Sequence, residues 1–374
     1  MKKFLMIATV PSMIGQFNMD NIRLLLNMNY EVHVACNFND KSVWDNERIT
    51  RFKADLEALG VKPIQVDFAR TPFHLVKLIK SYWSVRKLLV REKYAVLHCH
   101  TPVAGIISRL AAINKGIKTI YTAHGFHFFK GAPLKNWLLY YPIELLLSFL
   151  TTDLITINEE DYLLAKDYLY AKQVHRIYGV GVDLDRFLPK QTMTKEVSEE
   201  LQLFSVGELN ENKNHRLVIE AIHRSVYKDQ FRYIICGGGP LLSSLSDLAR
   251  TYGLEKQVHF LGYRTDIPDL LQQSDVFVFP SKREGLPVSV MEAMAVGLPA
   301  IVSNIRGNNE LIDHDKGGFI FTSNDIDELR SYLDKCIVAS DKLAVLGQYN
   351  RQKIQSYSSE VVTHQMAIIY LLKN

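Results

Sequence analysis

Short apolar runs alternate with longer stretches of helical spacing along the whole chain. In the first half the runs fall at residues 4–10, 31–36, 95–100, 119–123 and 154–157; in the second they fall at 203–207, 232–237, 258–261, 276–280 and 300–303. Few of them alternate polar with apolar positions. A strand that is apolar on both sides is covered on both sides, as in parallel sheets whose crossover helices lie on the two faces. The pattern therefore predicts two doubly wound, Rossmann-like α/β domains. At 374 residues the chain is too long for one ordinary core. The turn-rich stretch Tyr178-Gly179-Val180-Gly181-Val182-Asp183 and the polar stretch 188–200 mark the boundary. The expected division is a first domain at 1–180, a linker at 181–199 and a second domain at 200–354, with a C-terminal helix at about 355–374 packing back on the first. Ligands of open parallel sheets sit beyond the carboxyl ends of the strands, so the chemistry is expected in a central cleft faced by both domains.

With 47% hydrophobic and 22% charged residues, the chain reads as a soluble globular protein rather than a disordered one. Cys36, Cys99, Cys236 and Cys336 are widely spaced and form no Cys-x-x-Cys pair, which suits free thiols in a reducing, cytoplasmic compartment. The apolar run after Lys2-Lys3 is too short for a signal peptide, and Pro11-Ser12-Met13-Ile14-Gly15 reads as a strand-to-helix loop. The most apolar later stretch, 137–150, is interrupted by Pro142 and Glu144 and falls short of the roughly 20 residues of a spanning helix. Charge is unevenly distributed: residues 1–180 carry 23 Lys/Arg against 15 Asp/Glu, and 62–118 carry 11 against 2. Within 73–93, Leu75, Val76, Ile79 and Trp83 interleave with Lys77, Lys80, Lys87 and Arg91, the pattern of a basic amphipathic helix.

The residues that carry chemistry follow two strands of the second domain. The run 276–280 leads into Ser281-Lys282-Arg283-Glu284-Gly285-Leu286-Pro287, after which 288–296 has helical spacing and Gly297 ends it. The free amides and dipole of a helix starting near Pro287 form an anion site fit for a diphosphate. Glu284 and Glu292 would lie roughly 12 Å apart by helical rise, on nearly one side. That is too far for a shared proton or for the ~5 Å carboxylate pair of a retaining glycosidase. It suits two ends of one extended ligand; the alternative is that Glu284 caps the helix and Glu292 faces solvent. Lys213 closes the loop Gly207-Glu208-Leu209-Asn210-Glu211-Asn212-Lys213 after the first strand of this domain, where a cation meets phosphate oxygens. The alternative there is plain solvation.

In the first domain, His124 and His127 sit directly after a strand, in a loop facing the expected cleft. His98-Cys99-His100 invites a metal reading. On a strand, however, His98 and His100 share a face while Cys99 points to the other, so the three cannot converge on one ion. A structural or cleft-lining role is the reading adopted. No Asp-x-Asp pair sits in a loop suited to a cation beneath a diphosphate, and the lysine and helix N-terminus supply the charge. No essential metal and no cofactor are expected.

Taken in order, these segments resemble the retaining glycosyltransferases of family 4, which have the two-domain GT-B fold. The resemblance covers nearly the whole chain: a glycine-bearing first loop at Gly15, His124-Gly125 after a strand, the loop from Gly207 to Lys213, the Gly237-Gly238-Gly239-Pro240 turn, Phe260-Leu261-Gly262, and Glu284 with seven residues before Glu292. It implies that Glu284 and the amides of Gly285 and Leu286 hold the donor sugar, Glu292 the ribose and Lys213 the diphosphate. Backbone near Tyr263 and Arg264 would meet the base, and His124 would lie near the transferred sugar. His124, Glu284 and Lys213 form the expected catalytic set. Many members carry an arginine after the loop glycine, where this chain has Glu208. Phosphate neutralisation then rests on Lys213, on the amides at Gly15 and before Val288, and on Arg283.

The resemblance further implies transfer with retention by a front-side route, in which the leaving phosphate helps take the acceptor proton. The expected donor is a UDP-hexose or UDP-N-acetylhexosamine. The expected acceptor is a polyprenyl-diphosphate-linked saccharide of bacterial exopolysaccharide or capsule synthesis. A cytoplasmic enzyme would meet it peripherally at the inner face of the cell membrane, with segments 73–93 and 137–150 against anionic lipid. The alternative is that both segments pack on the sheet and show solvent a charged face. Two other classes compete. A nucleotide-sugar dehydrogenase or epimerase needs an early Gly-x-Gly-x-x-Gly loop, and the first loop offers only Gly15. A basic nucleic-acid-binding protein would explain 62–118, but the chain lacks a matching motif and its net charge is only +4, so no nucleic-acid partner is expected. Oligomeric state leaves no signature in the sequence.

Overall fold

Each of the ten predicted strands is present, and three more join them at sheet edges. In the computed structural model, which describes residues 1–71, 74–189 and 200–371, the first sheet holds β1 (Lys2–Ile7), β2 (Tyr30–Cys36), β3 (Lys62–Gln65), β4 (Val96–His100), β5 (Lys118–Ala123), β6 (Asp153–Thr156) and β7 (Gln173–Arg176). Their order is β3-β2-β1-β4-β5-β6-β7, and every pairing is parallel. The second sheet holds β8 (Leu201–Val206), β9 (Phe231–Cys236), β10 (Val258–Gly262), β11 (Val276–Phe279), β12 (Ala300–Ser303) and β13 (Gly318–Phe321), ordered β10-β9-β8-β11-β12-β13 and again all parallel. The unpredicted strands β3, β7 and β13 are four residues each and lie at edges. Lys62-Pro63-Ile64-Gln65 and Gln173-Val174-His175-Arg176 are polar because an edge strand is only partly covered.

The chain divides into two compact units. One comprises residues 1–180 together with those from Val362 onward; the other is Gly181–Val361. Phe73, residues 190–199 of the expected linker, and residues 372–374 of the expected C-terminal helix lie outside the described residues. The helix Ser359–Leu371 carries the chain back to the first unit: the Tyr370 hydroxyl lies 3.1 Å from His98 Nδ1, and Lys118 Nζ donates to the Ile369 carbonyl at 2.9 Å.

Three neighbouring helices of the first unit, together with Glu159–Tyr168, pack on an apolar core containing Phe68, Val85, Leu88, Ile107, Tyr121, Phe128 and Leu164. The middle one, Pro102–Ala111, is tied to Leu134–Ser148 by a fully buried bidentate pair, with Arg109 donating to both Glu144 oxygens at 2.9 and 3.1 Å. Pro142 lies inside that last helix without ending it. The outer faces of the flanking helices are apolar. Leu75–Glu92 buries Ser81, Val85, Leu88 and Leu89, yet on its other face Val76, Ile79, Trp83 and Val90 are each more than half exposed, beside exposed Lys80 and Lys87. Leu134–Ser148 leaves Leu134, Leu138 and Leu146 similarly exposed, followed by Phe149. No described helix is long and apolar enough to cross a membrane. All four cysteines are free and buried.

Candidate active site

In each sheet the strand order reverses once, between β1 and β4 and between β8 and β11. A crevice opens beyond the carboxyl ends of the strands at such a switch point, because the two following loops diverge to opposite faces. In the second unit those loops are 207–214 after β8 and 280–287 after β11, the segments carrying Lys213 and Glu284.

Lys213 Nζ donates to Glu284 Oε1 at 2.8 Å and lies 4.7 Å over the Phe279 ring at the end of β11. Four further contacts hold the loops. The Lys282 amide donates to the Asn212 carbonyl (2.8 Å), Asn212 Nδ2 donates to the Arg283 carbonyl (3.0 Å), the Lys213 amide donates to Asn210 Oδ1 (3.0 Å), and Arg306 Nε donates to the Glu284 carbonyl (3.2 Å). Glycines make the packing possible. A Cβ on Gly207 would lie 3.2 Å from the Lys213 stem, and one on Gly237, whose φ is +145°, would lie 1.9 Å from the Gly207 carbonyl oxygen. Gly307 backs Gly285 in the same way, at 2.3 Å from its carbonyl oxygen.

The helix Val288–Val296 starts after extended Pro287, with no side-chain cap and no acidic residue in its first turn, and ends at left-handed Gly297. Among the described residues the amides of Gly285, Leu286, Val288 and Ser289 donate to nothing. An uncapped N-terminus beside a lysine is a place for an anion. Leu286 is buried and Gly285 half-buried, which keeps these amides partly out of bulk water. Glu292 lies in the second turn, half-buried, with no hydrogen bond among the described residues. Burial pushes its carboxyl up to about 7, against the pull of the Arg186 charge. Neither simple alternative holds: Glu284 pairs with Lys213 instead of capping the helix, and Glu292 does not face open solvent. After β10, Tyr263 and Arg264 are exposed, and Arg264 Nε donates to Asp266 Oδ1 at 2.8 Å.

In the first unit the switch point is marked by Thr9 and Thr101, whose hydroxyls lie 2.7 Å apart, with Thr101 at φ +67°. A β-branched residue in that region is strained, and such strain collects at functional sites. His100 ends β4, and its Nδ1 lies 3.1 Å from Nε2 of half-buried His124, just past β5. The His124 loop is pinned from the helix Glu159–Tyr168: the Phe126 amide donates to Asp161 Oδ2 (3.1 Å) and the Lys130 amide to Glu160 Oε1 (2.7 Å). His127 stacks on Tyr140, with ring centroids 4.5 Å apart. His98 is fully buried, and the Cys99 thiol turns away from both histidines to the Ile120 carbonyl at 3.3 Å. Among the described residues no group of three or more His, Cys, Asp or Glu is placed to hold a metal ion.

One expectation needs correction. Gly15 is not in a loop: Pro11 opens a helix, Pro11–Phe17, and Gly15 lies inside it, where a Cβ would come within 2.3 Å of the Trp44 ring. Its small size serves packing. Glu208 turns to the surface, where its carboxylate accepts from Asn210 Nδ2 at 3.0 Å, so the position after Gly207 carries no cation. Sequence reasoning also missed Arg186, read as linker although its charge reaches Glu292, and Thr101, whose strained backbone has no sequence signature.

Two doubly wound parallel sheets with these loops at their switch points define the GT-B class, and the chain is a glycosyltransferase. It belongs to the glycosyltransferase family described as group 1, which matches residues 190–353, with the glycosyltransferase 4-like description matching residues 14–159. It is 35% identical to the putative glycosyltransferase EpsD of Bacillus subtilis (strain 168), over 99% of this chain and 96% of that one. It is also 35% identical to the UDP-Gal:alpha-D-GlcNAc-diphosphoundecaprenol alpha-1,3-galactosyltransferase of Escherichia coli, over 75% of this chain and 76% of the relative. In fold it resembles Anabaena HepE in complex with UDP, with a TM-score of 0.78 at 19% identity over 99% of both chains. Membership in this family sets aside the dehydrogenase and nucleic-acid-binding readings.

Proposed function

We propose that the chain transfers a hexose or N-acetylhexosamine, with retention, from a UDP-sugar to a polyprenyl-diphosphate-linked saccharide in the synthesis of a bacterial surface polysaccharide. The observation that carries this reading is the Lys213–Glu284 pair beside the uncapped helix at Val288. Lys213 and the free amides of Gly285, Leu286, Val288 and Ser289 would neutralise the diphosphate, and the Glu284 carboxylate would accept from sugar hydroxyls. Glu292, half-buried and without a hydrogen-bond partner among the described residues, would meet the ribose, and backbone at Tyr263 and Arg264 the base. His124 would contact the transferred sugar. The acceptor hydroxyl bonds to the anomeric carbon as the bond from that carbon to the diphosphate oxygen breaks. The hydroxyl proton passes to the departing phosphate, giving UDP and the extended saccharide. Positive charge from protein groups would serve in place of a metal, so the reaction is expected to proceed in the presence of a chelator.

A UDP-sugar is the donor favoured because the galactosyltransferase relative is named for UDP-galactose and HepE was solved with UDP. The lipid-linked acceptor is favoured because that relative is named for a diphosphoundecaprenol acceptor. The exposed apolar and lysine-bearing faces of Leu75–Glu92 and Leu134–Ser148 support peripheral contact with an anionic inner leaflet. There each nearby Lys or Arg adds about 1 kcal/mol to apolar insertion. The test is a donor screen: the purified chain is offered UDP-, GDP- and ADP-sugars and slow donor hydrolysis is measured, with Glu284→Ala and Lys213→Ala as controls. Hydrolysis of UDP-sugars that falls in both variants is expected. No hydrolysis, or the same rate in both variants, would overturn the site.

A further inference from the structure

Three imidazoles run in a row at the carboxyl edge of the first sheet. The ring centroids of His98 and His100 are 4.1 Å apart, and those of His100 and His124 are 5.4 Å apart. The inner end of the row is closed by hydroxyls, with His98 Nε2 at 2.8 Å from Thr122 Oγ1 and Nδ1 at 3.1 Å from the Tyr370 oxygen. At the outer end, among the described residues, His100 Nδ1 meets only His124 Nε2, at 3.1 Å, and His100 Nε2 is buried with no partner. His124 Nδ1 reaches no partner among the described residues. Burial holds all three rings neutral: His98 is pushed down to about 3, His124 to about 4, and His100 well below the usual histidine range.

Two neutral rings joined by one nitrogen–nitrogen contact share one proton in it, and the choice of donor fixes both tautomers. If His124 donates, the proton of His100 must sit on Nε2, leaving a buried N–H with no acceptor. If His100 donates, its Nε2 carries only a lone pair. Orphaned buried N–H groups are the rarer case, and an unmet buried donor costs its full desolvation. We infer that His100 is a positioning residue that donates from Nδ1 to His124 Nε2 and so fixes His124 as the Nδ1–H tautomer. With Nε2 occupied and Nδ1 protonated, His124 offers substrate a hydrogen-bond donor and has no free lone pair with which to act as a general base. Its meeting with substrate rests on the function proposed above; the tautomer does not.

The experiment uses the full chain labelled with 15N at histidine. Long-range proton–nitrogen spectra separate protonated from unprotonated ring nitrogens, and the signals of His124 are those lost in His124→Gln. In the unaltered chain His124 is expected with Nδ1 protonated and Nε2 bare. His100→Asn keeps an N–H donor near the original Nδ1, so it should keep that pattern and most of the UDP-sugar hydrolysis. His100→Leu should release His124 into the Nε2–H form and lower hydrolysis up to about tenfold, as for one lost neutral hydrogen bond. Finding Nε2 protonated in the unaltered chain, or an unchanged His124 tautomer in His100→Leu, would overturn the inference. Should His100→Leu fail to fold, the unaltered chain and His100→Asn decide it. Absence of hydrolysis in every form would sink the proposed function and leave the tautomer to the spectra alone.

Discussion

Lys213 Nζ donates to Glu284 Oε1 at 2.8 Å, joining the loop after β8 to the loop after β11 across the point where the second sheet reverses its order. The two charges are mutual partners, so each alters the field that the other presents to a ligand. Removing either is therefore expected to lower UDP-sugar hydrolysis by roughly 10- to 100-fold, the range for one charge-assisted hydrogen bond. The double variant should lose less than the product of the two effects, because residues in contact are not independent. Rates for the two single variants and the double variant check this, and full multiplicativity would show that the pair does not act as a unit.

Glu292 gives the fold a pH dependence. Its carboxyl titrates near 7 in the folded chain against an ordinary 4.5, because burial disfavours the charge. The folded chain thus holds more protons than the unfolded one between those values, and stability falls as pH rises through that window, by at most about 3 kcal/mol. Urea unfolding of the unaltered chain at pH 5 and pH 8 should reveal the difference, and Glu292→Gln should reduce it. Equal slopes in the two proteins would refute it.

Gly237→Ala is expected to disrupt the donor loops, since a Cβ there meets the Gly207 carbonyl oxygen at 1.9 Å and the backbone sits at φ +145°. Gly253, at φ +65° with open space around it, supplies the control for backbone strain alone. UDP binding by calorimetry should be lost or much weakened in Gly237→Ala and kept in Gly253→Ala.

The buried Arg109–Glu144 pair should behave as other buried ion pairs do. Glu144→Ala leaves a fully buried guanidinium without its anion and should cost about 3–5 kcal/mol. Arg109→Met with Glu144→Met should recover much of that loss. Chemical denaturation midpoints distinguish the cases, and a double variant as unstable as Glu144→Ala would point to packing instead of charge.

Binding to anionic vesicles should fall when Trp83→Ala is combined with Lys80→Glu and Lys87→Glu, all on the exposed face of Leu75–Glu92. Flotation with and without anionic lipid, alongside thermal melts to verify the fold, tests this. Equal flotation of variant and unaltered chain would remove that face from the proposed membrane contact.

What could be read from the sequence follows physical lines. Central strands were legible because both their faces are buried and the chain must be apolar there, as in Phe4–Ile7 or Val276–Phe279. Edge strands such as Gln173–Arg176 were not, since partial cover removes that demand. The helix after Pro287 and its stop at Gly297 were legible because caps obey local backbone rules. Gly15 misled for the opposite reason: a glycine that makes room for a distant tryptophan looks, in one dimension, like a loop glycine.

By itself the sequence determined the alternation of strands and helices, the family, and the residues Lys213, Glu284, Glu292 and His124 as the ones to watch. Only the tertiary structure decided that Lys213 and Glu284 are partners, that Glu292 is half-buried within reach of the charge of Arg186, and that His100 meets His124. The periodicity of apolar residues records which faces are buried. Which two side chains meet is set by strand order, by the reversal between β8 and β11, and by glycines that let loops far apart in the chain touch.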